Sequence, residues 1–474
     1  MTDLGSDLAL AHLERRVDDA DEFDLAKARL IGCIAASGRG QPMQERTQAH
    51  GSKLGEGEYE ESLRTPHLMR GFRDVPFMGV IWVVHQAVQR GFWNGHPDWC
   101  NLGQGQPEIG DMPGAPERIR SVTIEPEDQA YGPLGGFDEL KEAVATHYNR
   151  LFRAGKKPYT AENVGIAQGG RLMLSRVFGA LQGKVGYQIP DYTAYQDMMD
   201  YAATRCEYHL IPTVEENGFS IPADEFDSAV KRHDLDAYIV SNPCNPTGYS
   251  IDGDTLDAYC ATARETGCTV IFDEFYSHFN YAADEAITAA RCVDDPDTDP
   301  VLIIDGLTKS FRYPGWRMGW VLGPPELIET LNRAASAIDG GPSRVTQRIA
   351  LKALEPAQAD QETQALRVEF GKKRAMMVER LEAMGIRCLA GDSTFYVWAC
   401  LDQLPEGYNT GLDFFWKALD RKVMTVPGEF FDVNPGGVRE GPSPFTQWMR
   451  FSFGPPMDNV NLGLTRLEKM MREA

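Results

Sequence analysis

Residues 301–320 read VLIIDGLTKSFRYPGWRMGW, in which an apolar run is followed by a tight polar turn with Lys309 and a glycine-rich stretch with Arg317. A short apolar run without polar alternation is typical of a strand that is buried on both faces of a parallel sheet. Four earlier segments repeat this arrangement, with apolar runs at residues 164–167, 185–189, 238–240 and 269–272. These runs alternate with longer helical patterns, which predicts an α/β fold with a mostly parallel sheet covered by helices.

Each of the five runs is followed at once by glycine or polar residues. In chain order these clusters read GGR, PDYTAY, SNPCNPTG, DEFYSH and DGLTKS. Open α/β sheets bind ligands at the carboxyl ends of their strands, so the sequence predicts one site built from all five clusters. From residue 346 onward, helical patterns and shorter apolar runs at 395–399 and 449–453 predict a second, smaller α+β domain.

Composition divides the chain into four segments. Residues 1–75 form an N-terminal extension that is polar, rich in glycine and without a recognisable motif. Residues 76–115 are expected to form an N-terminal helix and an arm that packs with the small domain. Residues 116–345 are then the large domain and residues 346–474 the small C-terminal domain. The apolar residues of the N-terminal helix recur at helical spacing: Phe77, Val80, Ile81, Val84 and Val88.

Charge and composition exclude several classes of partner. The 474 residues carry a formal net charge of -22, which argues against nucleic acid and against an anionic membrane surface. The nine cysteines form no CxxC pair and the nine histidines no HxxxH pair, so no metal site is expected. The N-terminus lacks a signal pattern, and no apolar run approaches the roughly 20 residues of a membrane span. A cytoplasmic location is therefore expected.

Three motifs together resemble a known family. SNPCNPTG at 241–248, DEFY at 273–276 and TKSFRYPGWRMGW at 308–320 resemble the fold type I pyridoxal-phosphate (PLP) enzymes of the class I/II aminotransferase family. The resemblance covers about residues 76–470, and several spaced motifs in one order are far more specific than NPTG alone. It implies a large PLP-binding domain, a smaller α+β domain, PLP as the cofactor and a homodimer with shared active sites.

The resemblance assigns the residues around the cofactor ring. Lys309 is the lysine whose amine forms the Schiff base with the cofactor aldehyde. Asp273 is the carboxylate that keeps the pyridine nitrogen protonated. Tyr276 and Asn245 hydrogen-bond the phenolic oxygen of the cofactor. Tyr192 matches the aromatic residue that stacks on the ring, and Tyr195 is a competing candidate for that position.

The cofactor phosphate needs anion donors. Gly169, Gly170 and Arg171 open a helical stretch, and a helix N-terminus with exposed N–H groups suits an anion. Arg317 supplies a charged fork, and Thr308 a hydroxyl group. The family usually has serine or threonine three residues before the lysine, where this chain has Gly306. Arg171 is the candidate that compensates for this missing contact.

The resemblance also implies how the substrate is held. Arg450, in WMRFSFG, matches the arginine whose fork binds the α-carboxylate of the amino acid. Gly105 and Asn245 line the same pocket, and Tyr131 matches a tyrosine that reaches the cofactor phosphate of the neighbouring subunit. The residues that meet the substrate side chain stay open at this point. The candidates are Arg312, Tyr313, Tyr396, Trp398 and the helix with FMGVIW.

The function implied is an aminotransferase that moves an amino group from an L-amino acid to a 2-oxo acid. A lyase, such as a carbon–sulfur lyase or an aminocyclopropanecarboxylate synthase, or an amino-acid oxidase is the alternative, because the motifs report the cofactor rather than the bond broken. Gly306 and the N-terminal extension favour this alternative. A non-enzymatic effector-sensing domain is disfavoured, because residues 1–75 show no basic helix-turn-helix pattern.

Overall fold

Three β-sheets organise the chain in a computed structural model that describes Val75, Phe77, residues 79–389 and residues 391–474. The N-terminal extension predicted for residues 1–75 therefore lies, apart from Val75, outside the described residues. The described strands are β1 (Cys100–Asn101), β2 (Val164–Ala167), β3 (Gly183–Tyr187), β4 (Cys206–Leu210), β5 (Ala237–Ser241), β6 (Thr269–Asp273), β7 (Val301–Gly306), β8 (Gly319–Leu322), β9 (Arg387–Leu389), β10 (Tyr396–Cys400), β11 (Val423–Met424), β12 (Val426–Pro427) and β13 (Trp448–Ser452).

The described helices alternate with the strands and cover the central sheet. They are α1 (Gly79–Val88), α2 (Asp138–Phe152), α3 (Gly170–Ala180), α4 (Ala194–Ala202), α5 (Ala223–His233), α6 (Gly253–Thr266), α7 (Pro325–Ile338), α8 (Arg344–Ala353), α9 (Pro356–Ala383), α10 (Gly411–Asp420) and α11 (Met457–Arg472). Side-chain caps and charged residues at the helix ends stabilise several of them. The Thr410 side chain accepts a hydrogen bond from the Asp413 N–H and so caps α10. Acidic residues in the first turn of α2 and Arg150 in its last turn complement the helix dipole.

The central sheet has seven strands in the order β2-β8-β7-β6-β5-β3-β4. Strand β8 pairs antiparallel with both of its neighbours, and the other pairs are parallel. Every residue of β5 and of β7 is buried, as expected for strands covered on both faces. The predicted α/β fold with a mostly parallel sheet is therefore confirmed. Because β2 and the parallel strands run in one direction, their carboxyl ends meet at one edge.

The second sheet has four strands in the order β12-β13-β10-β9, all antiparallel. It contains the two apolar runs that the sequence assigned to a smaller α+β unit, now β10 and β13. Strand β1 pairs separately with β11 and connects the segment after α1 to this part of the chain. The three boundaries between the four segments drawn from the sequence stay predictions.

The helix predicted from apolar spacing is α1, which begins at Gly79, so Phe77 precedes it. Trp82 is fully buried and packs against Phe415 and Phe430 at ring distances of 5.1 and 5.3 Å. Aromatic contacts of this kind stabilise the packing beyond the apolar area that they bury. The buried side of α1 is therefore anchored, and its opposite side, with Ile81, stays exposed.

Candidate active site

A cavity of about 650 Å³ lies where the carboxyl ends of the central strands meet. Each of the five polar clusters recognised in the sequence contributes to its wall. The lining residues are Phe77, Val80, Ile81, Gly105, Gly170, Arg171, Leu174, Tyr192, Thr193, Ala194, Asp197, Ser241, Asn245, Asp273, Phe275, Tyr276, Thr308, Lys309, Arg317, Tyr396 and Arg450. Its size is within the range of small-molecule and cofactor sites.

Lys309 enters the cavity from the turn that follows β7. The turn is closed by a hydrogen bond from the Leu307 N–H to the Met318 carbonyl, which holds the segment against β8. The Nζ of Lys309 donates to the carbonyl of Gly105. Enclosure in the protein, and then the positive charge of Arg450, lowers the pKa of Lys309 to about 7. A lysine with this pKa is neutral in a large fraction of molecules near neutral pH, which makes its amine a nucleophile.

Asp273 ends β6 and is buried in the cavity wall. Its Oδ2 accepts a hydrogen bond of 3.0 Å from the Tyr195 hydroxyl, and the Phe275 N–H donates to the same carboxyl. Burial raises the pKa of Asp273 to about 6 in spite of these two donors. A cationic N–H placed in the cavity beside this carboxylate would offset the cost of burying its charge.

The two tyrosines that competed for one role occupy different places. Tyr192 lines the cavity, and its hydroxyl accepts a hydrogen bond of 3.0 Å from Arg171 Nη2. Tyr195 is fully buried behind the cavity, where it is bonded to Asp273. The two rings meet edge to face at 5.4 Å. Tyr192 is therefore the one whose ring is accessible to a ligand, and Tyr195 is the one that orients the carboxylate.

The start of α3 forms a glycine cradle beside two arginines. Gly169 has a φ of +84°, and a Cβ atom there would lie 2.5 Å from Arg317 Nη2. A Cβ atom on Gly170 would lie 2.1 Å from the Phe275 ring. Both positions need glycine, which leaves the N–H groups of the first helical turn accessible from the cavity. Arg171 and Arg317 line the cavity next to this helix start.

The structure gives a steric reason for Gly306. A Cβ atom at this position would lie 2.5 Å from the Met318 carbonyl oxygen and 2.6 Å from the Cα of Gly319. Contacts this short with backbone atoms exclude serine and threonine unless β7 and β8 separate. Thr308 and Arg171 both line the cavity and are available as anion donors in its place.

Arg450 lies in the middle of β13 and is almost fully buried. Its Nη1 donates to Asn245 Oδ1 and its Nη2 to the carbonyl of Gly103, both at 2.8 Å. The guanidinium also lies 4.0 Å from the centre of the Tyr396 ring. Its Nε has no hydrogen-bond partner, although a buried charged donor is costly to leave unpaired. This side chain is therefore held in one orientation with donor capacity left for an anion.

Tyr276 also lines the cavity, and its hydroxyl lies 2.8 Å from that of Tyr396. Of the residues that the resemblance assigned to the cofactor and the substrate, Gly169 and Tyr131 do not line the cavity. Gly169 lies directly behind it, in contact range of Arg317, whereas the Tyr131 side chain is 98% exposed on the surface. An exposed tyrosine contributes nothing to the cavity of its own protomer.

The sequence motifs did not identify every residue of the cavity wall. Ser241 and Phe275 lie inside the quoted motifs, so they could have been found from their neighbours. Leu174 and Asp197 carry no such signal, because they lie outside the recognised clusters, after Arg171 and Tyr195. The role of Tyr195 as the partner of Asp273 depends on a contact between α4 and β6 that spacing alone does not predict.

Comparison with known proteins places this geometry in context. Residues 97–467 match the family model described as aminotransferase class I and II. The chain is 26% identical over 382 residues to an aspartate aminotransferase of Sulfurisphaera tokodaii, covering 78% of this chain and 89% of that protein. It is 26% identical over 381 residues to aromatic-amino-acid aminotransferase 2 of Thermococcus litoralis, covering 79% and 92%.

A solved structure has the same fold. The aspartate aminotransferase of Thermus thermophilus with maleate superposes with a TM-score of 0.69 at 23% identity. The match covers 85% of this chain and all of that chain. It shows that the central sheet and the antiparallel sheet described above are arranged as in that fold.

Proposed function

We propose residue roles for this chain, which belongs to the class I and II aminotransferase family and is a PLP-dependent aminotransferase. In this assignment Lys309 carries the cofactor and moves the proton, and Arg450 holds the amino-acid substrate. The single observation that supports it best is the convergence of Lys309, Asp273 and Arg450 on one cavity. The three residues come from β6, from the turn after β7 and from β13, so only the folded chain brings them together.

The cavity has the donors and the space that PLP requires. Among the described residues, four cationic side chains and two carboxylates line it, which suits a ligand with a phosphate and a substrate with a carboxylate. The glycine cradle at the start of α3 would close if either glycine gained a Cβ atom. The Nε of Arg450 has no partner and can donate to an anion. The lowered pKa of Lys309 favours the neutral amine that reacts with the cofactor aldehyde.

PLP supplies an electron sink for the carbanion that forms when the substrate loses its α-proton. The Asp273 carboxylate would hold the proton on the ring nitrogen, and Tyr195 keeps that carboxylate oriented. Tyr192 would cover one face of the ring, and Asn245 and Tyr276 would donate to its phenolic oxygen. The phosphate would be held by the N-terminus of α3, Arg171, Arg317 and Thr308.

Lys309 would hold the cofactor covalently through its Nζ. As a free amine, the same Nζ would act as the base that takes the proton from the substrate Cα and as the acid that returns it. Arg450 binds the α-carboxylate, which orients the Cα–H bond toward Lys309. Gly105 lines the same part of the cavity, and its carbonyl positions Nζ before the substrate enters.

An L-amino acid and a 2-oxo acid are the proposed substrates. The described cavity wall offers no second acid–base group dedicated to expelling a β- or γ-substituent, and return of the proton to C4′ by Lys309 needs none. A single half-reaction without a 2-oxo acid tests this. We expect one equivalent of oxo acid per site, full conversion to the pyridoxamine form and no further turnover. Continued release of ammonia, a thiol or peroxide would instead identify a lyase or an oxidase.

The proposed assembly is a homodimer in the cytoplasm, with Tyr131 acting on the phosphate site of the neighbouring subunit. The exposure of Tyr131 on its own protomer supports this assignment. Among the described residues, no helix is long and apolar enough to cross a membrane. Mixing Tyr131→Phe with Lys309→Ala subunits is expected to restore activity in hybrid sites, while mixing two Lys309→Ala preparations is the control. An active monomer in light scattering would contradict the dimer.

A further inference from the structure

We propose that the preferred amino-acid substrate carries an uncharged, apolar side chain, and that Ile81 on α1 contacts it. This specificity rests on the proposed function, in which Arg450 holds the α-carboxylate and Arg171 and Arg317 hold the phosphate. The charge of the cavity wall, the ion pair of Arg312 and the placement of α1 support this specificity.

The cations among the described residues of the cavity wall are all assigned to other groups. They are Lys309, Arg171, Arg317 and Arg450. A second carboxylate on the substrate would therefore find no unassigned cation among the described residues of this protomer's wall. Burying a carboxylate without a cationic partner is costly, so an acidic side chain is disfavoured.

Arg312, one of the residues that the sequence left open as a contact of the substrate side chain, does not line the cavity. It is fully buried outside the cavity, and its Nε lies 2.5 Å from Glu362 Oε1. Its Nη1 donates to the carbonyl of Gly110 at 2.8 Å. Two other candidates are also committed elsewhere, since Tyr313 stacks on Trp316 at 3.6 Å and Trp398 is fully buried.

The apolar residues of the cavity wall come largely from α1 and from Phe77, which precedes it. Phe77, Val80 and Ile81 line the cavity, and Leu174 adds to the same lining. The start of α1 is fixed against the cavity wall, since a Cβ atom on Gly79 would lie 2.8 Å from Thr193 Oγ1. An apolar side chain of the substrate would remove these residues from water, which favours large aliphatic or aromatic substrates.

Two pairs of compounds with matched shapes test the charge argument. L-leucine and L-aspartate branch at the same carbon and differ in charge, so the half-reaction rate of each is measured on the holoenzyme. We expect the second-order rate constant for leucine to exceed that for aspartate by at least about tenfold. The dissociation constants of 4-methylpentanoate and succinate, read from the cofactor absorption, are expected to follow the same order. Faster reaction and tighter binding of the acidic pair would overturn the proposal.

A matched pair of variants tests the contact with α1. Ile81 and Val88 lie on the same helix and are both 50% exposed, but only Ile81 lines the cavity. We expect Ile81→Ala to lower the rate constant for leucine about tenfold and to leave that for alanine nearly unchanged. Val88→Ala is expected to change neither. Equal effects of the two variants would overturn the role of Ile81, whereas failure of every L-amino acid to convert the cofactor would refute the proposed function itself.

Discussion

Two clusters of buried charge in this protein use the same kinds of side chain for different purposes. The closed cluster consists of Arg118, Arg312 and Glu362, in which Glu362 lies 2.5 Å from Arg312 Nε and 3.1 Å from Arg118 Nη1. Arg118 Nη2 also donates to the Arg312 carbonyl at 2.7 Å. The carboxylate and the nearby carbonyls occupy most donors of both arginines, so this cluster ties the segment before α2 and the turn after β7 to α9.

The cavity cluster consists of Asp273, Lys309 and Arg450. Its cations donate to neutral groups, since Arg450 is bonded to an amide oxygen and a carbonyl, and Lys309 to a carbonyl. Its carboxylate is bonded to a tyrosine hydroxyl and a backbone N–H. The charged side chains of this cluster are thus held in place by neutral partners. Their charges stay available to interact with a charged ligand.

Burial alone does not separate structural from functional arginines in this protein. Arg312 and Arg450 are both almost fully inaccessible to solvent. What differs is the partner, a carboxylate for Arg312 and a neutral amide for Arg450. Removing the carboxylate of each cluster should therefore have opposite consequences for stability and for activity.

The largest effect is expected for the carboxylate of the cavity cluster. Asp273→Ala removes the charge that holds the ring-nitrogen proton, so kcat should fall by at least about 10³-fold. The midpoint of thermal unfolding should stay close to that of the wild type, because burial already disfavours this charge. A kcat near the wild-type value would show that Asp273 has no such role.

The next largest effect is expected for the free energy of unfolding. Glu362→Gln leaves two buried arginines without their carboxylate, which should lower the free energy of unfolding by about 3–5 kcal/mol. Urea unfolding measures this loss, and kcat/KM of the folded variant should remain close to that of the wild type. A large loss of kcat with unchanged stability would reverse the distinction between the two clusters.

A smaller effect is expected for the substrate arginine. Arg450→Lys keeps the charge but loses the fork, so kcat/KM should fall about 10²-fold. The affinity for PLP, measured by titration of the apoenzyme, should be unchanged, because Arg450 is assigned to the substrate. Equal loss of PLP affinity would show that Arg450 is a structural residue like Arg312.

The smallest effect is expected for the pH dependence of the rate at which the apoenzyme captures PLP. The Lys309 amine must be neutral to attack the cofactor aldehyde, and its pKa is about 7, below the usual range. The rate of PLP capture by the apoenzyme should therefore rise as the pH passes through about 7 and level off above it. Arg450→Gln removes a positive charge that lowers this pKa, so the profile should move to higher pH, at about 1.4 kcal/mol per unit. A shift to lower pH would contradict the electrostatic explanation.

The sequence predicted the strands that carry the site more completely than those that do not. The runs before Asp273 and Lys309 are continuous and apolar, and they became β6 and β7. Strands β4 and β8 were not predicted. The first, CEYHL, is polar and at the edge of the sheet, and the second, GWVL, follows directly on a glycine-rich motif. Neither pattern separates a strand from a loop without its neighbours.

The site was predictable where a motif surrounds the residue and unpredictable where a contact joins distant elements. Lys309, Asn245 and Asp273 follow from their motifs. The choice between Tyr192 and Tyr195 depends on how α4 packs on β6, and the place of Arg312 depends on Glu362, fifty residues away in the chain. Such long-range partners are a property of the packed fold rather than of a local pattern.

The most direct test of the account is to locate the cofactor on the chain. Borohydride reduction of the holoenzyme, followed by proteolysis and mass spectrometry, identifies the lysine that is bonded to PLP. We expect a pyridoxyl group on Lys309 alone in the wild-type enzyme, and no pyridoxyl group in the Lys309→Ala variant treated in the same way. A pyridoxyl group on any other lysine of the wild-type enzyme would contradict the assignment of this cavity as the active site.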